Sequence, residues 1–412
     1  MMPRLEVDLK YAVILFCWSL TVLGGVMGSG CDRIVTNRPT EGDNFESPLE
    51  GMSPSLNAVF IQGDENFERT FTVEEGLGPI FNNVGCESCH PADGRGTPEL
   101  GFTRFGLGGD PAAELGGPQH QDKAIPGVPL EEMPSGMERT FRMPPPVFGV
   151  GMIEAIPAWV ILSRADPNDL DGDGISGRPN MVHAAEFVSG SHVGGGPGLQ
   201  LGRFSRKAQV SSLLQQVAEA YHQDIGITSD FIPVETPHPQ AGGIAIGDRV
   251  ADPEIPAATV LETVTYVRQL RPPERGEITP EVERGDQLFN EIGCAACHVP
   301  TMRTGASSIP ELSHIDVHLF SDLLLHDMGP DLADFRPDGD ASGTEWRTAP
   351  LWGLRLVEEF LNGEAFYLHD GRTSDLGEAI LFHGGEASAA RNRFAGLSDE
   401  DREALLAFLR SL

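Results

Sequence analysis

The chain has 412 residues, enough for about two or three domains with a buried core. Its 61 acidic residues outnumber its 29 lysines and arginines and give a net charge of −32. This charge argues against nucleic acid or an anionic membrane surface as a partner. A basic protein would be a favourable partner, although many exported proteins are acidic for solubility alone.

The first 31 residues predict an export signal. Arg4 and Lys10 precede an uncharged run over 11–27 that is short for a membrane span. Three small residues then lead directly to Cys31, as in a lipoprotein cleavage site. We therefore expect a periplasmic protein, or one anchored on the extracytoplasmic face of a membrane through a lipid on Cys31. Simple cleavage after the signal and an uncleaved anchor are the alternatives.

The pentapeptide Cys-x-x-Cys-His occurs twice, at 86–90 and at 294–298. Two thiols at this spacing can each form a thioether to one haem, and the next residue offers its imidazole to the iron. A zinc site or a thioredoxin-like pair would need further ligands or a strand-to-helix context that the sequence lacks. We expect two covalently bound haem c groups, held by Cys86, Cys89, His90, Cys294, Cys297 and His298.

Helix signals lie mostly in the second half of the chain. Apolar periodicity predicts helices over 208–222 and 257–270, and Thr279-Pro280 and Ser398 begin two more. Glycine and proline favour long ordered loops between the first pentapeptide and residue 205. We expect a mainly α fold with two cytochrome c-like domains and long ordered loops. The predicted boundaries are 1–31 for the signal, 32–57 for a flexible tether, 58–273 for an N-terminal domain with loop insertions and 274–412 for a C-terminal domain.

The function of each haem depends on its sixth ligand, because an iron with an open position can bind peroxide or oxygen. His120, Met143 and His183 are candidates at the N-terminal haem, and none stands out, which favours an open position. Glu154 lies in an apolar run and could shuttle protons, with Arg142 as its nearest charge partner in sequence. A buried glutamate satisfied by an arginine is the structural alternative.

Three aspartates, Asp169, Asp171 and Asp173, alternate with residues of a glycine-containing loop. Calcium loops place carboxylates in this way. Asn180 stands where an EF-hand has its final glutamate, so the loop is not a full EF-hand. The sequence therefore predicts one calcium ion here, with an acidic surface turn as the alternative.

Several further motifs resemble the di-haem oxidoreductase, putative peroxidase family, a distant relative of the bacterial di-haem cytochrome c peroxidases. They cover most of the chain from residue 78 onward. The motifs are Arg347-Thr348-Ala349-Pro350-Leu351-Trp352-Gly353-Leu354, Tyr367-Leu368-His369-Asp370-Gly371-Arg372, and the segments 376–387, 323–329, 169–180 and 224–228.

The resemblance implies axial ligands and roles. The related peroxidases use a methionine before the closing helix, and this chain has His383 there, so we expect His298 and His383 to ligate the C-terminal haem. His326 and Met328 are the rival ligands. The relatives also hold calcium between their domains and place a catalytic glutamate in a region comparable to that of Glu154.

We therefore expect an exported di-haem oxidoreductase that reduces hydrogen peroxide at the N-terminal haem. Electrons would enter at the C-terminal haem from a redox partner such as a small cytochrome or cupredoxin. Two alternatives stay open: an electron carrier without its own substrate, and a di-haem oxidase or oxygenase of an organic or thiol substrate.

Overall fold

Residues 44–188, 198–238, 240, 246–361 and 363–412 are described by a computed structural model. The predicted signal and the first part of the predicted tether lie outside these residues. The rest of the tether is packed, because Phe45 and Leu49 are buried and the Leu49 amide donates to the carbonyl of Gln269. Within the described chain, no helix has the length and apolar character needed to cross a membrane.

The described chain contains short helices joined by long loops. Its α-helices are α1 (Pro54–Glu68), α2 (Val150–Ala155), α3 (Ala158–Leu162), α4 (Leu213–Ala220), α5 (Ala257–Gln269), α6 (Pro280–Glu291), α7 (Val357–Phe360), α8 (Leu376–Leu381), α9 (Ser388–Ala395) and α10 (Asp399–Leu409). Its strands are β1 (Ile80–Phe81), β2 (Phe102–Gly106), β3 (Lys123–Ala124), β4 (Glu138–Arg142), β5 (Met181–His183), β6 (Leu199–Leu201), β7 (Met302–Arg303), β8 (Asp316–Val317), β9 (Leu325–Asp327) and β10 (Glu345–Arg347).

The expectation of a mainly α fold is wrong. Helix accounts for 34% of the described residues and strand for 13%. The strands pair as five antiparallel two-stranded sheets, β1 with β3, β2 with β4, β5 with β6, β7 with β8 and β9 with β10. Most of these strands have only two or three residues, which is too short for the alternation of apolar and polar residues that identifies a strand in sequence.

The N-terminal core forms where α1 packs on α5. Phe60 and Phe67 of α1 lie 4.8 and 5.4 Å, between ring centroids, from Tyr266 of α5. Helix α1 begins where the Ser53 side chain accepts a hydrogen bond from the Leu56 amide, with Pro54 in the first turn. This pair of helices forms one wall beside the first Cys-x-x-Cys-His motif, because Phe67 also lies beside His90.

The helix predicted over 208–222 begins later and ends later than expected. Ser212 caps α4 by accepting from the Gln215 amide, and the helix then continues as one π turn over Tyr221–Ile225. Gly226 ends it in the left-handed conformation. The π turn places Asp224 and Ile225 beside the first Cys-x-x-Cys-His motif.

The second core is built by α6 and the closing helix α10, and both N-caps that the sequence predicts are confirmed. Thr279 accepts from the Val282 amide and Ser398 accepts from the Asp401 amide. The two helices approach closely at Gly285, where a Cβ atom would overlap the carbonyl oxygen of Ala404. Glycine at this position therefore sets the spacing between the helices.

The division at residue 273 stays a prediction. The α6–α10 core has its own buried cluster, which includes Phe289 and Phe408. Several buried side chains after residue 300 nevertheless belong to the N-terminal cluster. They are Met302, Val317, Leu319, Leu323, Leu324, Trp352 and Leu356.

We predict that Gly285→Ala lowers the free energy of unfolding by about 1–3 kcal/mol, because the added methyl group forces α6 away from α10. Gln287→Ala, on the exposed face of the same helix, is the matched control and should change stability by less than about 0.5 kcal/mol. Denaturant unfolding of both variants measures the difference. Equal stability of the two variants would show that the helices can separate without cost.

Candidate functional site

The second Cys-x-x-Cys-His motif lines a cavity of about 430 Å³ beneath α6, α8 and α10. His298 and His383 both contribute to its wall. Nδ1 of His298 lies 2.9 Å from the Phe320 carbonyl oxygen, and Nδ1 of His383 lies 2.8 Å from that of Ala379. A carbonyl only accepts, so Nδ1 carries the proton in each ring and Nε2 keeps its lone pair.

Burial keeps these two imidazoles neutral. Together with the nearby His383 it lowers the pKa of His298 to about 4, despite the hydrogen bond to Phe320. Burial likewise lowers the pKa of His383. A neutral imidazole with a free Nε2 is the form that binds a metal, so both residues could ligate one haem iron.

His326 is held differently. Its Nε2 lies 2.8 Å from Asp322 Oδ2, and its Nδ1 lies 2.7 Å from Glu386 Oε2. Burial alone would lower the pKa of His326, but these two carboxylates overcome that effect and raise it to about 12. Both nitrogens are therefore protonated donors, which leaves His326 no lone pair for iron. Met328 also lines the cavity and stays the rival ligand.

The first Cys-x-x-Cys-His motif lines a second cavity of about 420 Å³. Among the described residues that line it, His90 is the one histidine, and its Nδ1 is buried without a hydrogen-bond partner. Burial lowers the pKa of His90 to about 4. Met143 is the one predicted distal candidate on this wall, because neither His120 nor His183 lines it.

Cys86, Cys89 and Cys294 are not poised as thiolates. Burial raises the pKa of Cys86 and Cys294 to about 12 and that of Cys89 to about 11. Cysteines that bind metals or exchange disulfides have depressed pKa values. Buried neutral thiols beside a cavity therefore fit thioether formation better than a zinc or redox role.

Three arginines lie between the two cavities. Arg95, Arg206 and Arg347 line both, and none has a carboxylate within salt-bridge distance in the described structure. Burial lowers the pKa of each, and for Arg206 the other two cations lower it further. Unpaired guanidinium groups at this junction fit the propionate carboxylates that a haem in either cavity would carry.

A buried ion network fixes the far wall of the N-terminal cavity. Arg142 of β4 lies 3.1 Å from Asp334 Oδ2 and 2.6 Å from Asp338 Oδ2. Lys207 Nζ lies 2.8 Å from Asp334 Oδ1 and above the ring of Trp346. Burial would raise the pKa of Asp338, but the surrounding arginines hold it far below its usual range. The network joins the β2–β4 pair to the segment before β10.

The two predicted catalytic residues do not meet. Glu154 Oε2 accepts from Arg268 Nε at 2.6 Å and its Oε1 accepts from the Leu213 amide, and Glu154 is not among the residues lining either cavity. Arg142 does line the N-terminal cavity, but it pairs with Asp334 and Asp338. The catalytic role of Glu154 stays a prediction.

Sequence reasoning missed Glu219, which lines the N-terminal cavity from α4. Its Oε1 accepts from Gln215 Nε2 at 2.7 Å, one helical turn earlier. Burial raises the pKa of Glu219, although Gln215 and Arg104 act against this. The available signal was the spacing of Gln215, Glu219 and Gln223 along a face that also carries buried apolar residues.

The predicted calcium loop is exposed. Carboxylate oxygens of Asp169 and Asp171 lie within 4.8 Å of each other and of Asp166. Asp173 accepts from the Ile175 amide and lines the C-terminal cavity instead. Ser176 hydrogen-bonds to Glu386, which ties the loop to the His326 cluster.

Residues 24–114 and 133–412 match the sequence model of the di-haem oxidoreductase, putative peroxidase family. The chain belongs to this family. The resemblance found in the sequence is thus confirmed, and membership implies two haem groups. Each of the two cavities in this di-haem oxidoreductase lies beside one Cys-x-x-Cys-His motif. The residues that line each cavity fit one haem group.

Two solved structures are similar to this di-haem oxidoreductase at low identity. Kuenenia stuttgartiensis hydrazine synthase is 14% identical, with 100% of both chains covered and a TM-score of 0.35. A MauG-like protein associated with microbial copper homeostasis is 15% identical, with 92% of this chain and 94% of that chain covered and a TM-score of 0.37. Both TM-scores are too low to carry an argument. No curated protein matches the chain.

We predict that Lys207→Met lowers the free energy of unfolding by about 3 kcal/mol, because it removes a fully buried cation from Asp334. Lys123→Met is the matched control: its side chain is 51% exposed, and its loss should cost less than about 1 kcal/mol. Denaturant unfolding of the haem-loaded variants measures both. Equal losses would mean that the buried network does not depend on Lys207.

Proposed function

We propose that this protein is an exported di-haem c-type enzyme that reduces hydrogen peroxide at its N-terminal haem, with electrons entering through its C-terminal haem. The observation that carries the proposal is the difference between the two cavities. The C-terminal cavity has two neutral histidines, His298 and His383, each with a free Nε2. The N-terminal cavity has His90 alone among its described lining histidines.

We propose which residues attach and ligate each haem. Cys86 and Cys89 would attach one haem and Cys294 and Cys297 the other, with His90 and His298 as proximal ligands. Bound haem supplies a redox-active iron, which transfers electrons when six-coordinate and can react with an oxidant when one position is open. The shared arginines would hold propionates of both haems, which would bring the two groups close enough for electron transfer.

The residues around the N-terminal cavity support proton transfer to peroxide. Breaking the oxygen–oxygen bond needs a proton donor near the bond and a positive charge for the developing anion. Glu219 has a carboxyl that burial keeps protonated to higher pH than usual. Arg104 lines the same cavity and supplies positive charge: its Nη2 lies 3.9 Å from Asp338 Oδ1, and its Nε has no hydrogen-bond partner in the described structure. We propose that Glu219 holds and delivers the proton while Arg104 stabilises negative charge.

The N-terminal sequence is the basis for the proposed location, and the net charge is the basis for the proposed partner. The proposal places the protein in the periplasm, or on the extracytoplasmic face of a membrane if Cys31 is lipidated. A small cytochrome or a cupredoxin would deliver electrons to the C-terminal haem. The acidic surface implied by a net charge of −32 would favour a basic donor. We also propose one calcium ion in the exposed Asp169, Asp171 and Asp173 loop.

We predict that His383→Ala converts the C-terminal haem from low spin to high spin, because it removes the sixth ligand. His383→Met should restore a six-coordinate haem with a higher midpoint potential than that of the wild type. Optical spectra and redox titration measure both variants. His318→Ala, an exposed histidine, is the control and should change neither.

Mass spectrometry of the denatured variants should still show two attached haems. A low-spin spectrum that persists in His383→Ala with both haems attached would contradict the ligand assignment.

We predict that Glu219→Gln lowers kcat for hydrogen peroxide by roughly 10²–10⁴, with a smaller change in KM, because the amide cannot deliver the proton. Glu154→Gln is the matched comparison. It should retain most of the turnover and lose stability, because Glu154 pairs with Arg268 outside the cavity wall. Steady-state kinetics of both variants decide the matter. A larger loss of kcat in Glu154→Gln would transfer the role to Glu154.

A further inference from the structure

Three carboxylates meet in the segment between the π turn and α5, apart from the residues that line the two cavities. Glu235, Asp252 and Glu254 each offer an oxygen, and these oxygens lie within 4.8 Å of one another. Asp248 adds a fourth negative charge nearby. None of the three forms a salt bridge with a lysine or arginine in the described structure. The cluster thus concentrates negative charge without a visible counter-charge.

Glu235 makes this cluster different from an ordinary acidic surface. Its relative exposure is 3%, and neither carboxylate oxygen has a hydrogen-bond partner among the described residues. Burying a carboxylate without a partner is costly. Protonation alone does not resolve this cost, because the second oxygen of the Glu235 carboxyl would still lack a donor. A bound cation would satisfy both oxygens at once.

Thr228 prepares the other two carboxylates. Its amide donates to Glu254 Oε2 at 2.6 Å, and its hydroxyl lies 2.6 Å from Asp252 Oδ1 and 2.8 Å from Glu254 Oε2. Thr228 therefore orients each carboxylate through one of its two oxygens. The other oxygens, Asp252 Oδ2 and Glu254 Oε1, are left for a ligand. The set of donors is oxygen only, which suits a hard cation.

We propose that Glu235, Asp252 and Glu254 bind one calcium ion. Calcium accepts six to eight oxygens in irregular geometry, so water can complete a shell that three carboxylates begin. Magnesium requires a nearly ideal octahedron and is a poorer match to oxygens spread over two loops. This proposal is independent of the peroxidase proposal and of the exposed Asp169 loop.

The ion would stabilise one wall of the N-terminal cavity. Thr228 follows the π turn over Tyr221–Ile225, and Asp224 of that turn lines the cavity. The Asp224 carbonyl accepts from the amides of Asn82 and Asn83, just before the first Cys-x-x-Cys-His motif. An ion that joins the segment after the π turn to the segment before α5 would therefore hold the turn in place.

Calcium content provides the first test. The full-length, haem-loaded protein is stripped with a chelator, dialysed against calcium chloride and assayed for bound calcium, alongside Glu235→Gln and Asp171→Asn. We expect Glu235→Gln to bind one calcium fewer than the wild type and Asp171→Asn to retain that ion. Equal calcium content in Glu235→Gln and the wild type would overturn the proposal. So would a wild type that binds no calcium beyond what Asp171→Asn loses.

Thermal unfolding gives a signature that a purely structural glutamate would not. In chelator, Glu235→Gln should unfold at a higher temperature than the wild type, because the unpaired buried carboxyl and its repulsion are removed. At a calcium concentration a hundredfold above Kd, the order should reverse, since only the wild type gains roughly 4 °C from binding. The more exposed Glu254→Gln should also lose the gain. An unchanged difference between Glu235→Gln and the wild type with and without calcium would overturn the proposal.

Discussion

The wall of the N-terminal cavity depends on one buried network of opposite charges. Asp334 and Asp338, from the segment before β10, hold cations from β2, β4 and the loop before α4, so they connect parts of the chain far apart in sequence. Removing both signs of charge from water is costly, and the cost is offset only while every partner is in place. The network therefore favours a single arrangement of the far wall of the N-terminal cavity. Lys207 of the network lies above the ring of Trp346, which lines the C-terminal cavity and is stacked on His369 with ring centroids 3.8 Å apart.

The two cavities surround two similar Cys-x-x-Cys-His motifs with different side chains. Both have a partly buried, neutral histidine after a motif whose first cysteine has a pKa raised by burial. Only the C-terminal cavity adds a second histidine with its lone pair held free by a backbone carbonyl. The N-terminal cavity has no second histidine among its described lining residues, and the carboxyl groups of Glu219 and Asp224 and several glutamine side chains line it. These local differences support the proposed division between an electron-entry haem and a reacting haem.

Local signals in the sequence predicted local features of the structure. Features that depend on tertiary packing could not be predicted from the sequence. Thr279 and Ser398 begin helices because a cap needs only its own first turn. The family and both Cys-x-x-Cys-His motifs could likewise be recognised from short motifs. The strand pairs could not, because two-residue strands have no period. Glu154 shows the same limit: its partner Arg268 lies 114 residues away, so no nearby residue indicates the ion pair. Glu219 belongs to the site through the packing of α4, which the sequence alone does not specify.

The most direct test of the account is an electron paramagnetic resonance spectrum of the oxidised protein carrying both haems, recorded before and after adding hydrogen peroxide. The account predicts one low-spin ferric signal from the haem between His298 and His383. It also predicts one high-spin ferric signal from the haem on His90, which peroxide removes while the low-spin signal initially remains. Two low-spin signals that peroxide leaves unchanged would contradict the central claim that the N-terminal haem has an open position for the oxidant.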